Sequence, residues 1–199
     1  KAFDECWIGR DGYVRTDGTK QKRAVAFQGN VRDADGSLLT EIFVSDIPDD
    51  ITQPAGRYPL EGTPTTRPAI PMGLKQRRIT FTNNRRYPGL QGPRFWLRSS
   101  PDGAVIYFLT KDEKGIVQVF DVSVNGGAIR QVSNLPASVQ AQFNVSPDGQ
   151  FLAIIADNSI WLTNIKTGES IRLTPRSGDE HAPQLAVIWN KAGNTLVFN

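Results

Sequence analysis

The chain has 199 residues, of which 39% are hydrophobic and 22% are charged, and its formal net charge is +3. This is a globular composition with enough apolar residues for a sizeable core. The basic residues are scattered instead of forming the concentrated stripe of nucleic-acid-binding proteins, so we expect no nucleic-acid partner. A single cysteine excludes an internal disulfide, and no apolar run is long enough to predict a transmembrane segment.

In chain order, the first predicted unit has four strands and one long insertion. Its strands a to d are predicted at residues 5–9, 23–31, 38–46 and 76–82. The segment 47–75 lies between strands c and d and is rich in Pro, Gly and Thr. Proline cannot extend a strand ladder, so this segment predicts an insertion at the edge of the sheet.

Two more units of four strands follow, and then half of another. Strands of the second unit are predicted at 95–99, 105–110, 116–124 and 129–132, and those of the third at 142–145, 151–156, 159–165 and 170–173. The short turns between them contain Gly and Asn, which accept the positive φ angles that tight hairpins need. The fourth unit has two predicted strands.

A repeated phrase connects strands a and b of these units. It reads Ser100-Pro101-Asp102-Gly103 in the second unit, returns at residues 146–149, and has a divergent copy at 190–193. The period is about 45 residues, and four strands per period of that length predict a propeller blade. We interpret Asp102 and Asp148 as turn residues that accept hydrogen bonds from the backbone just after them.

The predicted fold is therefore an all-β, β-propeller of four-stranded antiparallel blades, with about three and a half blades in this chain. The blades are predicted at residues 4–82, 94–133, 141–174 and, incomplete, 182–199, within one propeller domain. Propellers close with roughly four to eight blades. We therefore expect the remaining half of the propeller, or another copy of the chain, to complete the ring.

Two levels of resemblance to known families support this interpretation. The Ser-Pro-Asp-Gly corner, followed by an apolar strand and a later Gly turn, resembles the TolB-type propeller repeat, also called the PD40 or WD40-like repeat. The phrases WIGRDGYVR and RRYPGLQGPRFWLRSSPDG further resemble the C-terminal half of the uncharacterised bacterial DUF3748 family of TolB-like proteins. The resemblance implies a bacterial source, a whole protein of about twice this length and, by analogy with TolB, a periplasmic or secreted location.

The candidate binding residues lie in the connections from strand d of one blade to strand a of the next. Ligands usually meet a propeller where these connections converge around the central channel. Guanidinium groups beside Tyr and Gln suit a carboxylate, a sugar acid or an acidic protein segment. The alternatives are solvated loop charges for the arginines, blade packing for the tyrosine, and a capping or surface role for the histidine. The candidates are Arg85, Arg86, Tyr87, Gln91, Arg94 and His181.

Two functions of different classes follow from this pattern. The first is a non-catalytic binding propeller that presents its channel-face loops to a protein or to an acidic glycan partner. The alternative is a metal-dependent lyase or hydrolase acting on acidic oligosaccharides, because some TolB-like propellers resemble oligogalacturonate lyases. One histidine and one cysteine predict no metal site, cofactor or catalytic residue within this chain. We interpret Cys6 as a buried apolar residue and not as a nucleophile.

Overall fold

A computed structural model describes residues 2–93 and 96–199 of the protein. It is all-β, with three four-stranded antiparallel sheets and two two-stranded hairpins. The helical structure assigned in these two ranges is a single 3-10 turn at Asp179–His181. No helix in the described ranges is long and apolar enough to cross a membrane.

The first sheet and its accessory hairpin occupy the N-terminal part of the chain. The sheet has the order β1-β4-β5-β6, and the hairpin lies between its first two strands. The strands are β1 (Ala2–Trp7), β2 (Tyr13–Val14), β3 (Lys20–Gln21), β4 (Arg23–Arg32), β5 (Leu38–Ile47) and β6 (Lys75–Arg78).

The second and third sheets each follow their strands in sequence order, and a two-stranded sheet begins the fourth unit. The second sheet contains β7 (Arg98–Ser99), β8 (Val105–Lys111), β9 (Val117–Ser123) and β10 (Ile129–Gln131). The third contains β11 (Asn144–Val145), β12 (Phe151–Ala156), β13 (Ser159–Asn164) and β14 (Ser170–Arg172). The fourth contains β15 (Ile188–Trp189) and β16 (Leu196–Val197).

The predicted strands are present, with local differences. The strand predicted at 76–82 ends at Arg78, because beyond it the Ile42 N–H donates to the Thr80 hydroxyl and the Thr82 N–H donates to the buried carboxylate of Glu41, instead of to a backbone carbonyl of the facing strand. The strand predicted at 95–99 is observed only at 98–99, and residue 95 lies outside the described residues. The hairpin β2–β3 was not predicted, although Asp17-Gly18 at its turn is a hairpin signal.

Apolar side chains fill the space between neighbouring sheets. The cluster between the first and second sheets includes Ile42, Val44 and Ile106, all fully buried. A second cluster, with Val119 and Leu152, joins the second sheet to the third. Along the strands of the second sheet, alternate side chains belong to the first and to the second cluster. This sheet is therefore apolar on both faces.

The first strands of neighbouring large sheets contact each other, because β7 contacts both β1 and β11. They therefore form a common inner edge, while the fourth strands lie away from it. Four-stranded antiparallel sheets stacked around a shared inner edge are propeller blades. The described residues of this chain form part of a β-propeller, with three blades and the start of another.

The repeated Ser-Pro-Asp-Gly corners have the structure that the sequence predicts. The carboxylate of Asp102 accepts from the Ala104 backbone N–H at 3.0 Å, and that of Asp148 accepts from the Gln150 N–H at 3.0 Å. Serine Oγ also donates to each carboxylate, at 2.5 Å. These bonds lower the pKa of both aspartates, the serine hydroxyl contributing most.

The corners also stack on one another from blade to blade. A Cβ placed on Gly149 would lie 3.1 Å from Pro101 Cδ, and one on Gly193 would lie 3.5 Å from Pro147 Cδ. A Cβ on Gly103 would lie 2.2 Å from the carbonyl oxygen of Gly12 in the first blade. Each corner glycine thus faces the preceding corner at close range.

The long connection between β5 and β6 folds back on itself. The Ala55 N–H donates to the Ile70 carbonyl at 2.9 Å, and the Met72 N–H donates to the Gln53 carbonyl at 2.8 Å. The connection therefore forms a local loop beside the first sheet. The domain boundaries given above, with 47–75 as an insertion, stay a prediction.

Candidate functional site

The antiparallel order places the connections of every blade on two opposite faces. We call the end that carries the b–c turns and the d-to-a connections the connection face. The end that carries the a–b corners and the c–d turns is the corner face. Five of the predicted binding residues, Arg85, Arg86, Tyr87, Gln91 and His181, belong to segments of the connection face.

Three of the predicted residues pack onto the b–c hairpin of the second sheet. Arg85 donates to the Lys111 carbonyl at 2.9 Å, and its guanidinium lies 4.5 Å from the centre of the Phe120 ring. Burial lowers the pKa of Arg85, and the charges of Glu113 and Asp112 oppose that effect. The surroundings of Arg85 are those of a packing residue.

Arg86 and Tyr87 form the more accessible part of this group. The exposed guanidinium of Arg86 donates to the Glu113 carbonyl at 2.9 Å and lies 5.4 Å from the centre of the Tyr87 ring. The Lys111 ammonium lies 5.4 Å from the same ring. Two cations therefore flank one half-buried tyrosine, and Arg86 is more exposed than Arg85.

The remaining predicted residues are not joined to this group. Gln91 donates its side-chain N–H to the Pro88 carbonyl at 2.9 Å, which stabilises the loop itself. Arg94 lies outside the described residues. His181 ends the 3-10 turn with an exposed ring 3.7 Å from the Glu180 carboxylate. No hydrogen bond or ion pair in residues 2–93 and 96–199 connects His181 with Arg85, Arg86 or Gln91.

A cavity of about 280 Å³ brings the d-to-a connections together. Its wall has residues from the connections β6–β7, β10–β11 and β14–β15. Gln140 is held by Asn158, to which its amide donates at 2.9 Å. In the part of the chain that the structure describes, the amides of Gln142 and Gln184 have no side-chain hydrogen bond. The lining residues are Pro93, Gln140, Ala141, Gln142, Pro183, Gln184 and Leu185.

The inner edge contains a cation that the sequence reasoning missed. Arg98 on β7 donates to the Asn144 side chain at 2.6 Å and to the Leu97 carbonyl at 3.0 Å. Burial lowers its pKa to about 10. Among the described residues no carboxylate pairs with it. A charged residue in a predicted inner strand was the signal for this position.

Cys6 lies beside Arg98 in a cavity of about 300 Å³ at the inner edge. Burial raises the pKa of its thiol to about 12, although the charge of Arg98 opposes the shift. A thiol with so high a pKa is a poor nucleophile. Within the two described ranges, no group of three or more His, Cys, Asp or Glu side chains is arranged to hold a metal ion.

Comparison with known proteins adds relatives of greater length. No family model matches the chain, and the resemblance to the DUF3748 family stays a prediction. A protein of Escherichia coli strain K12, named "Uncharacterized protein YidR", is 36% identical over 201 residues, which covers 100% of this chain and 45% of that protein. The chain thus spans less than half the length of this curated relative.

Two solved structures with TolB names are similar at low identity. One, from Agrobacterium tumefaciens and provisionally named TolB, is 20% identical, with a TM-score of 0.45, over 98% of this chain and 54% of that one. TolB from Acinetobacter baumannii is 16% identical, with a TM-score of 0.40, over 92% of this chain and 45% of that one. The assignment of the fold rests on the sheets and their shared inner edge, not on these scores.

Proposed function

We propose that this chain is part of a TolB-like binding propeller of bacterial, extracytoplasmic origin that presents its connection face to a protein or glycan partner without catalysing a reaction. The observation that carries the proposal is the cavity at Pro93, Gln142 and Gln184. Three connections that are remote in sequence meet there. Sites assembled from loops of several blades are where propellers commonly bind partners.

The polar side chains of the connection face suit the recognition of a protein or glycan partner. The amides of Gln142 and Gln184, which have no side-chain hydrogen bond within residues 2–93 and 96–199, have donors and acceptors that suit a peptide backbone or sugar hydroxyl groups. Arg86 adds an accessible cation that suits an acidic segment or an acidic sugar. Arg85 stabilises the loop through its hydrogen bond to the Lys111 carbonyl and its contact with the Phe120 ring.

We also propose that further blades complete the ring by covering the two end sheets. Trp7 is 65% exposed on the open side of the first sheet, where Phe27 and Phe43 stack with ring centres 5.6 Å apart. At the other end, Val197 is 61% exposed on the short fourth sheet. Apolar surfaces of this kind favour burial against another blade. The curated relative is more than twice as long as this chain. In a protein of that length, the further blades would come from the same polypeptide.

Site-specific photocrosslinking in native cells tests the binding proposal. A photoreactive residue is placed at Gln184 or at Pro93 in the full-length protein, and the control position is Lys166 on the corner face. We expect one adduct of the same mass from Gln184 and Pro93, none from Lys166, and a weaker adduct when Arg86→Ala is combined with Arg94→Ala. Equal adducts at all three positions would contradict the proposal.

The alternative function is tested with oligogalacturonate and Mn²⁺. A lyase would release an unsaturated product whose absorbance rises steadily with time. Turnover by the full-length protein would overturn the non-catalytic proposal. We expect no turnover.

A further inference from the structure

The corner face contains a larger cavity, which the predicted sites do not include. Its volume is about 610 Å³, compared with about 280 Å³ for the cavity on the connection face. The lining comes from the β2–β3 hairpin, from the facing ends of β5 and β6, and from the c–d turn of the second sheet. We call it the basic groove, and its lining residues are Tyr13, Arg15, Thr16, Asp17, Asp46, Lys75, Gln76, Arg77 and Asn125.

A buried carboxylate organises the groove. Asp46 is 5% exposed and accepts a hydrogen bond from the Tyr13 hydroxyl at 2.8 Å. Arg77 Nη1 lies 3.2 Å and Arg15 Nη2 lies 3.5 Å from its second oxygen. Burial and the bond to Asp46 raise the pKa of Tyr13, so its hydroxyl remains a donor at neutral pH. One buried anion thus holds two arginines and a tyrosine in place.

The hairpin that supplies Arg15 is fixed to the second blade. The side chain of Asn125 donates to the Val14 carbonyl at 3.0 Å. Arg77 reaches the same blade, because its Nη2 donates to the Val124 carbonyl at 3.0 Å. The walls of the groove are therefore held by two blades, and the arginines are preorganised before any ligand arrives.

Cations outnumber anions in the groove. Arg15, Lys75 and Arg77 supply three positive charges, and Asp46 and Asp17 supply two negative ones. Asp17 is already bound to Thr19, whose N–H and hydroxyl donate to it at 2.9 and 2.6 Å. The excess of one positive charge favours a ligand that carries a single negative charge.

Donors remain free to meet that ligand. The side chains of Arg15 and Arg77 are each 33% exposed. The hydrogen bonds of Arg15 to Asp46 and Gln21 both use Nη2, and Tyr13 further stabilises its charge. The ammonium of Lys75 has no hydrogen bond or ion pair within 2–93 and 96–199. A planar guanidinium with an unused edge binds a carboxylate through two parallel hydrogen bonds.

We infer that the basic groove is a binding site for a small monocarboxylate with hydroxyl groups, which Arg15 and Lys75 hold by its carboxylate. Thr16, Gln76 and Asn125 offer hydroxyl and amide groups for the rest of such a hydroxy acid. The site lies on the face opposite the proposed partner cavity. It therefore stands or fails independently of the function proposed above.

Calorimetric titration with gluconate, and with sorbitol as its matched neutral analogue, tests the inference on the full-length protein. Both have a six-carbon hydroxylated chain, and only gluconate has a carboxylate. We expect saturable gluconate binding with a Kd of about 1 mM or tighter and no binding of sorbitol. Absence of saturation by about 10 mM gluconate, or equal binding of sorbitol, would overturn the inference.

Three variants assign the carboxylate contact. Arg15→Gln is expected to weaken gluconate binding about tenfold and Lys75→Gln about threefold, whereas Lys166→Gln on a distant turn leaves it unchanged. The Lys75 ammonium makes no hydrogen bond or ion pair within residues 2–93 and 96–199, so its variant remains informative even if Arg15→Gln is unstable. Unchanged binding in Lys75→Gln and in a folded Arg15→Gln would contradict the assignment. Inorganic phosphate binding as tightly as gluconate would do the same, because it would mark a general anion site.

Discussion

The repeated corners and the basic groove both centre on an aspartate, but they satisfy it in opposite ways. Asp102 and Asp148 receive their hydrogen bonds from residues within a few positions along the chain. Asp46 receives its hydrogen bonds from Tyr13, Arg15 and Arg77, which lie on different segments. Arg15 keeps N–H groups that Asp46 does not use. The repeated corner aspartates thus complete local turns, whereas Asp46 holds together segments that are distant in the sequence.

The largest decrease in the free energy of unfolding is expected from a substitution at a corner glycine. Gly103 has a φ of +75°, and a Cβ there would lie 2.2 Å from the Gly12 carbonyl oxygen. We expect Gly103→Ala to lower the free energy of unfolding by about 3 kcal/mol or more, from the strained backbone and the clash together. Urea unfolding of the full-length protein at neutral pH measures the change.

Gly36→Ala is the matched control for that prediction. Gly36 has a φ of +87°, and a Cβ there would have nothing within 4 Å. Its substitution tests the backbone strain alone, which costs about 1 kcal/mol. Equal losses in the two variants would show that close stacking of the corners contributes nothing.

A smaller loss of stability is expected in the groove. Asp46→Asn removes the counter-charge that Arg15 and Arg77 share. Breaking a fully buried pair costs more, but both arginines are partly exposed, so we expect a loss of about 2 kcal/mol. Asp49→Asn is the control, because its carboxylate is 70% exposed, and we expect a change within about 0.5 kcal/mol.

Asp46→Asn also tests how the charge of Asp46 affects the binding of an anionic ligand. With Asp46 neutral, the excess positive charge of the groove rises by one. Gluconate affinity is therefore expected to increase about threefold in Asp46→Asn, measured by calorimetric titration below the midpoint of unfolding. A lower affinity in a folded variant would mean that orientation of the arginines matters more than charge.

The smallest effect is the pH dependence of a corner aspartate. The pKa of Asp148 is lowered in the folded state, so its contribution to stability is present above the ordinary carboxyl pKa and is lost as the pH falls through the folded value. Asp148→Asn should cost about 0.5 kcal/mol at neutral pH and nothing under strongly acidic conditions. A cost that stays constant between those conditions would contradict the role of the charge.

The sequence predicted the fold better than the sites for a physical reason. Strand alternation and the Ser-Pro-Asp-Gly corner are local patterns, and the structure contains the predicted strands of the first three sheets. The groove needs Tyr13, Asp46 and Arg77, which only the packing of loops brings together. One local signal was present, because Asp46 follows Ile42 and Val44 on the buried side of β5. A charged residue in the buried phase of a strand indicates a partner elsewhere in the chain.

The contact between corners has a consequence for how such rings change in length. The glycine of one corner meets the proline of the preceding corner, at Gly149 with Pro101 and at Gly193 with Pro147. This is a head-to-tail joint, in which the front of each unit fits the back of its neighbour. Joints of that type do not limit the number of units, and only the rotation per unit decides when a ring closes. Duplication of the third repeat would therefore add one more joint of the same Gly–Pro type while altering the circumference of the propeller.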